Sequence, residues 1–215
     1  MLYIIFKEFS QSKKMILLSL IFGSLFIVAL TSGTEENLMV GRFVLMIAFM
    51  VVMTNEHNED KNKGYSLMRT LPLKQYKIVI GKFTASFILI LLGGLYTFII
   101  IKIKSMSTGL STDMVTTIIN SVSTTLLFIG IFYILLYKFG SGIAINISRV
   151  VFFIVFFSPG LMNIINEKFN FDIPFMSMIT EINIFNSIVL FVVSIVFYQL
   201  CMLVSMKFFR NFQNV

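Results

Sequence analysis

The chain has 215 residues, 57% hydrophobic and 13% charged, with a formal net charge of +7 and a mean hydropathy of +0.93. Soluble domains run at about 45–50% apolar and about 25% charged. Too little polar surface is present to cover the apolar part, which excludes a soluble enzyme, a disordered tail and a free nucleic-acid binder. A single cysteine, Cys201, excludes a disulfide scaffold and a cysteine-based zinc site.

A membrane-spanning helix needs roughly 20 mostly apolar residues. The long charge-free intervals are 15–34, 43–55, 83–101, 114–137, 150–166 and 182–206. The second is short, and extends to Leu38–Thr54 once Arg42 is admitted near its outer end with its guanidinium snorkelling to the interface. None of these runs alternates at period two, which argues against a membrane β-barrel. The pattern predicts an all-α polytopic membrane protein with six transmembrane helices, a single domain over 1–215.

Ahead of the first span, segment 1–14 places Leu2, Ile5, Phe6 and Phe9 on one helical face, with Lys7 and Glu8 off it. Two readings stand: an amphipathic helix lying along the inner membrane surface, or an ordinary start to the first helix. Lys13-Lys14 before an apolar run has the form of a signal peptide, but the run is long and five spans follow, so the helix is read as retained. Ser19 and Gly23 form a small-xxx-small pair suited to close helix approach.

On the second helix Met39, Arg42, Met46, Met50 and Met53 share one face. Methionine is adaptable and recurs at apolar binding surfaces, so Arg42, Met46, Met50 and Met53 are candidates to line a pathway; a packing or lipid-facing stripe is the alternative. On the fourth helix Thr116, Thr117, Asn120, Ser123 and Thr124 are mostly one-sided, a pattern that joins helices or lines a wet cavity. Asn120 joins the pathway candidates. Segment 158–183 mixes apolar and polar residues around Pro159-Gly160 and Pro174, which predicts an outer re-entrant segment, since irregular backbone at membrane depth must be buried in protein. Cys201 is read as a packing residue.

Segment 55–82 holds nine of the 27 charged residues. Within it Tyr65, Leu67, Met68, Leu71 and Leu73 have no spanning run to join. Tyr65 to Leu71 is long enough for two helical turns, and Pro72 ends or redirects them. A short amphipathic helix of this kind either docks a partner or anchors the loop. His57, beside Glu56, Glu59 and Asp60, is a solvated loop histidine on this reading; no metal-ligand spacing surrounds it.

With the N-terminus in the cytoplasm, 13 of the 17 basic residues lie inside: Lys7, Lys13, Lys14, Lys61, Lys63, Arg69, Lys74, Lys77, Lys82, Lys138, Arg149, Lys207 and Arg210. The positive-inside rule therefore puts both termini in the cytoplasm. The basic excess is topology, not affinity for nucleic acid. No P-loop is present. The nearest match, Gly81-Lys82-Phe83, has Phe where the hydroxyl is needed and Tyr76 where the first glycine should be. Energy must come from a partner or an ion gradient. No ionisable residue other than Arg42 is read inside a span, which counts against a proton-driven carrier.

The run Lys63-Gly-Tyr-Ser-Leu-Met-Arg-Thr-Leu-Pro-Leu-Lys-Gln-Tyr-Lys-Ile-Val-Ile-Gly-Lys82 resembles the cytoplasmic loop of small ABC-2-type permeases, with Glu56, Glu59 and Asp60 matching their acidic stretch. Thr70-Leu71-Pro72, Lys74 or Lys77, Ile78-Val79 and Lys82 match the rest, and the six-span layout covers the whole chain. The resemblance implies a non-enzymatic pathway subunit of an ATP-binding cassette exporter in a bacterial plasma membrane. It implies that Tyr65, Leu67, Met68, Arg69 and Leu71 form a coupling helix docking on a cytoplasmic ABC ATPase, which holds the ATP and Mg²⁺. It further implies a second permease subunit, with Ser19 and Gly23 near the seam. Within the family the chain is similar to Gram-positive peptide-export permeases, including the phenol-soluble modulin exporters. That implies an amphipathic or hydrophobic substrate, a peptide toxin or antimicrobial peptide. A non-transporting membrane anchor or immunity protein and an ion-coupled carrier are the other readings.

Overall fold

The computed structural model describes residues 2–30, 36–62, 64, 75–104, 112–154 and 184–211. Among them are six helices and no strand: α1 (Leu2–Leu30), α2 (Glu36–Lys61), α3 (Gln75–Lys104), α4 (Thr112–Phe139), α5 (Ser141–Ile154) and α6 (Ile184–Asn211). Three contain stretches long and apolar enough to cross a membrane: Tyr76–Ile103, Val115–Phe139 and Ile184–Phe209.

Length explains much of the architecture. At 1.5 Å per residue, the 29 residues of α1 and the 26 of α2 run to about 40 Å, against a hydrocarbon core of about 30 Å. The helices overshoot, and the overshoot is where their charges meet. α1 runs unbroken from Leu2 to Leu30, so the amphipathic stretch forms its first turns, with Ile4 and Glu8 buried and Tyr3 and Phe6 exposed.

α2 is the central helix. Phe43, Val44, Ala48, Val51 and Val52 are buried, and the helix packs against α1, α3 and α4. Phe152 of α5 stacks on Phe49 at 4.0 Å between ring centroids. The most extensive helix pair is α4 with α6, and Tyr198 of α6 donates to the Phe83 carbonyl at 2.8 Å, tying α6 to α3. Outward faces are apolar: Leu17, Ile21 and Leu25 on α1, Leu92 and Leu95 on α3, Val192, Val193 and Leu203 on α6. In water such surface would be a liability; in a bilayer it is the solvent-facing side.

Two expectations need correction. The fifth helix starts at Ser141, ahead of the charge-free interval 150–166, and Arg149 lies exposed within it. Gly140 explains the difference. Its φ of +86° terminates α4 in the left-handed conformation that glycine adopts without Cβ cost. The Gly140 N–H donates to the Leu136 carbonyl (3.0 Å), and the Ala144 N–H to the Gly140 carbonyl (3.1 Å), so a new helix begins at once. Secondly, two donors of the α4 polar stripe bond within their own helix. Ser123 donates to the Ile119 carbonyl and Thr124 to the Asn120 carbonyl of their own helix, the usual backbone bond open to a hydroxyl in a helix.

Gly81 marks the closest helix approach at the charged end. A Cβ there would lie 2.9 Å from Ile4 Cγ2 and 3.0 Å from Ile4 Cβ. Because Cβ belongs to the stiff, branched part of isoleucine, it cannot swing away. Gly81→Ala is expected to cost about 1–3 kcal/mol by overpacking, and to cost less in an Ile4→Ala background, which removes the Cγ2 contact though not the Cβ one. Thermal midpoints of both variants check this; equal destabilisation with and without Ile4 would mean that the contact is not the cause.

Candidate functional site

Where the overshooting ends of α1, α2 and α3 converge, five charged side chains form one cluster. α2 continues to Lys61, so Asn55, Glu56 and Glu59 project from its last turns on one side. Lys82 sits two turns into α3, and Lys7 and Glu8 in the second turn of α1. Lys82 is 0% exposed, and Glu56, Glu59 and Glu8 are 0%, 1% and 4% exposed. The Lys82 ammonium donates to both oxygens of Glu56 at 2.7 Å and to Glu59 Oε2 at 2.5 Å. Lys7, a quarter exposed, donates to Glu59 Oε1 at 2.5 Å. Asn55 Nδ2 donates to Glu8 Oε2 at 3.0 Å and to the Glu8 carbonyl at 3.2 Å.

Tyr133 of α4 closes one side of the cluster, its hydroxyl 2.7 Å from Ser86 Oγ. Phe83 packs on it at 4.7 Å, and Tyr137 stacks beyond at 6.1 Å. These rings exclude water, which strengthens each ion pair and raises the cost of each unpaired group.

The electrostatics divide the carboxylates. Burial alone would raise Glu59, but Lys82 and Lys7 together hold it below the ordinary carboxylate value of 4.5. Burial pushes Glu8 up to about 7; Lys82 and Lys7 pull against this, while Glu56 and Glu59 add to it.

This corrects the reading of Glu56 and Glu59 as part of a solvated acidic loop, and the reading that Arg42 alone is ionisable within a span. Lys82 is wholly buried inside the apolar stretch Tyr76–Ile103. His57 and Asp60 are exposed, on the outer side of α2. Among the described residues no group of three His, Cys, Asp or Glu side chains is arranged to hold a metal ion.

The coupling-helix candidates Tyr65, Leu67, Met68, Arg69 and Leu71 lie outside the described residues, as do the outer segment 158–183 and the side chain of Arg42. What is described brackets the loop: α2 ends at Lys61, α3 begins at Gln75, and Gly64 sits against the Glu59 backbone, where a Cβ would be 3.2 Å from its carbonyl oxygen.

The pathway candidates separate. Met46 and Met50 face a cavity of about 270 Å³ between α1 and α2, which Met15, Leu18, Ser19 and Phe22 complete. Its lining is wholly apolar in exposed surface. Met53 is buried in the core. Asn120 is half-buried on α4 with its Oδ1 unpartnered. Gly23 faces α2, where a Cβ on it would meet Ile47 Cδ1 at 3.6 Å, and Ser19 lines the cavity.

With this geometry in view, comparison with known families is decisive. The sequence pattern of the family described as ABC-2 family transporter protein matches residues 3–210. The chain belongs to the ABC-2 family transporter proteins. No curated protein matches it. This ABC-2 protein is accordingly a membrane subunit of an ABC transporter, a permease whose family works with an ABC ATPase. Family membership and the apolar helices together make it a membrane protein.

Proposed function

We propose that this permease forms half of the translocation pathway of an exporter in a bacterial plasma membrane. A second permease subunit supplies the other half, and a separate cytoplasmic ATPase, carrying ATP and Mg²⁺, docks on the stretch between α2 and α3. The supporting observation is the buried ion cluster. Lys82 at the head of α3 is bonded to Glu56 and Glu59 at the tail of α2, so the two helix ends that hold the loop are joined to each other and to α1. A push on the loop then moves three helices as one body instead of bending two independent ends.

On this reading the loop helix 65–71 is the docking element, both termini are cytoplasmic, and six spans cross the membrane. The methionine-lined, largely apolar cavity between α1 and α2 supports a hydrophobic or amphipathic substrate, for which a peptide is the favoured class. Since Gly23 faces Ile47 of α2, the exposed face Leu17, Ile21 and Leu25 of α1 is the better candidate for the subunit seam.

Purification from native membranes tests the reading. A cytoplasmic ATPase should accompany the permease, and amphipathic peptides should stimulate its hydrolysis. A permease that purifies without any ATPase under mild conditions would point to a membrane anchor or immunity protein, or to an ion-coupled carrier. Topology is checked separately with single cysteines in a Cys201→Ser background. Those at Glu36, Ser107 and Asp172 should label from outside intact cells, and those at Asn62 and Asn211 should not. The reverse pattern would invert the proposed orientation.

A further inference from the structure

The cluster holds three carboxyl groups (Glu8, Glu56, Glu59) against two ammonium groups (Lys7, Lys82). Fully ionised, these described groups would set three negative charges against two positive ones in a layer where almost no water reaches. Both ammonium groups are bonded to Glu59, and Lys82 also to Glu56; Glu8 is bonded to neither in the described geometry, its one side-chain donor being the neutral amide of Asn55. Two buried oxygens there are unpartnered, Glu8 Oε1 and Asn55 Oδ1, on residues only 4% and 3% exposed. An unpaired buried charge is far more costly than a neutral acid that can donate a hydrogen bond.

We infer that Glu8 is a proton-binding site: it holds a proton while the cluster is closed and is the member that releases it, so that the grip of α1 on α2 and α3 responds to cytoplasmic pH. The groups facing Glu8 are Lys7 on its own helix, Asn55, Glu56 and Glu59 on α2, Lys82 on α3, and the hydroxyls of Tyr133 and Tyr137 on α4. With the proton bound, charges balance at two against two. On release, the third carboxylate faces Glu56 and Glu59 with no cation of its own, and the first turns of α1 are repelled from their seat.

The sign follows from linkage. The folded value for Glu8, about 7, lies above the ordinary 4.5, so the folded state binds more protons across that interval and stability falls as pH rises through it. Glu59 is shifted the other way, below 4.5, and its own loss of stability on acidification falls outside this window.

The test uses the full chain in lipid nanodiscs and infrared spectroscopy of the protonated-carboxyl C=O band, with sodium chloride and choline chloride in parallel. Wild type should lose a band as pH rises through about 7, identically in both salts. Glu8→Gln should show no such loss, and its thermal midpoint should stop falling over the same interval. Lys7→Gln, a change at the partly exposed edge, removes a cation that favours ionised Glu8 and should move the titration upward, which keeps the test informative if Glu8→Gln folds poorly. The inference is overturned if the band change persists in Glu8→Gln, if Lys7→Gln leaves the midpoint in place or lowers it, or if sodium shifts it. A sodium effect would make the paired oxygens a cation site instead.

Discussion

Lys82→Met should be the most damaging single substitution in the described part of the molecule. The methionine keeps the length of the stem and the packing, and removes only the charge. Glu56 and Glu59 then lose the buried ammonium that they share, and among the bonds described Lys7 reaches Glu59 alone. Breaking a buried ion pair from one side costs about 3–5 kcal/mol, because the remaining charge has lost both water and partner. Replacing Glu56 and Glu59 by Gln in the same chain should recover part of the loss, since neither carboxylate is then left facing the missing ammonium, and Lys7, a quarter exposed, keeps access to water. The chain has no tryptophan, but its one cysteine, Cys201, is buried at 2% exposure. A thiol-reactive fluorogenic dye therefore reports unfolding in the native sequence. Unchanged dye uptake on heating Lys82→Met would show that the cluster is not a source of stability.

The second large effect is functional. Replacing Leu67 and Met68 together by Asp should release the ATPase and abolish substrate-linked hydrolysis, while the helices still insert and pack. The motive is positional: both side chains lie in the stretch between the α2 and α3 ends, and neither belongs to an apolar run that spans the membrane. Each such side chain buried in a partner's groove contributes about 1.5–3 kcal/mol, so losing two and adding two charges removes several kcal/mol of docking energy. Lys138→Ala is the control. Lys138 is exposed at the α4 terminus, over the rings of Phe139 and Phe208 at 4.9 and 5.7 Å, and its loss should affect local packing alone. An Asp double variant that still holds its ATPase at normal stoichiometry and turnover would remove the loop from the coupling mechanism.

The helices were legible in the sequence for a simple reason. A long charge-free run leaves the chain few options in a bilayer, and α3, α4 and α6 contain the expected apolar stretches. The ion cluster was hidden for the same reason. Charges delimit the spans, so Glu56, Glu59 and Lys82 read as lying beyond the membrane and in water. Their partnership joins positions 23 and 26 residues apart, and Asn55 reaches Glu8 across 47; no local period encodes that. A signal was present all the same. Asn55, Glu56 and Glu59 continue the helical face of an apolar run, and Lys82 follows Ile78, Val79 and Ile80, inside a span rather than before it. Glu8 offered less, since a lone carboxylate beside Lys7 suggests a surface pair. Likewise Gly140 was one of 12 glycines, and only its positive φ reveals that no loop separates α4 from α5.

That junction has a mechanical consequence. Two helices joined by a long connector can rotate independently, because the connector absorbs the twist. Here a single residue intervenes, and both of its flanking turns are pinned by backbone hydrogen bonds. A rotation of α4 about its axis therefore has only the two torsions of Gly140 in which to dissipate, and what they do not absorb passes into α5 like torque through a universal joint. No atom lies within 4 Å of where a Cβ would sit at Gly140. A larger residue there would meet no wall, only the roughly 1–2 kcal/mol penalty of a left-handed backbone. The joint is thus free of steric locking, and its preferred angle is set by the chain's own torsional energy.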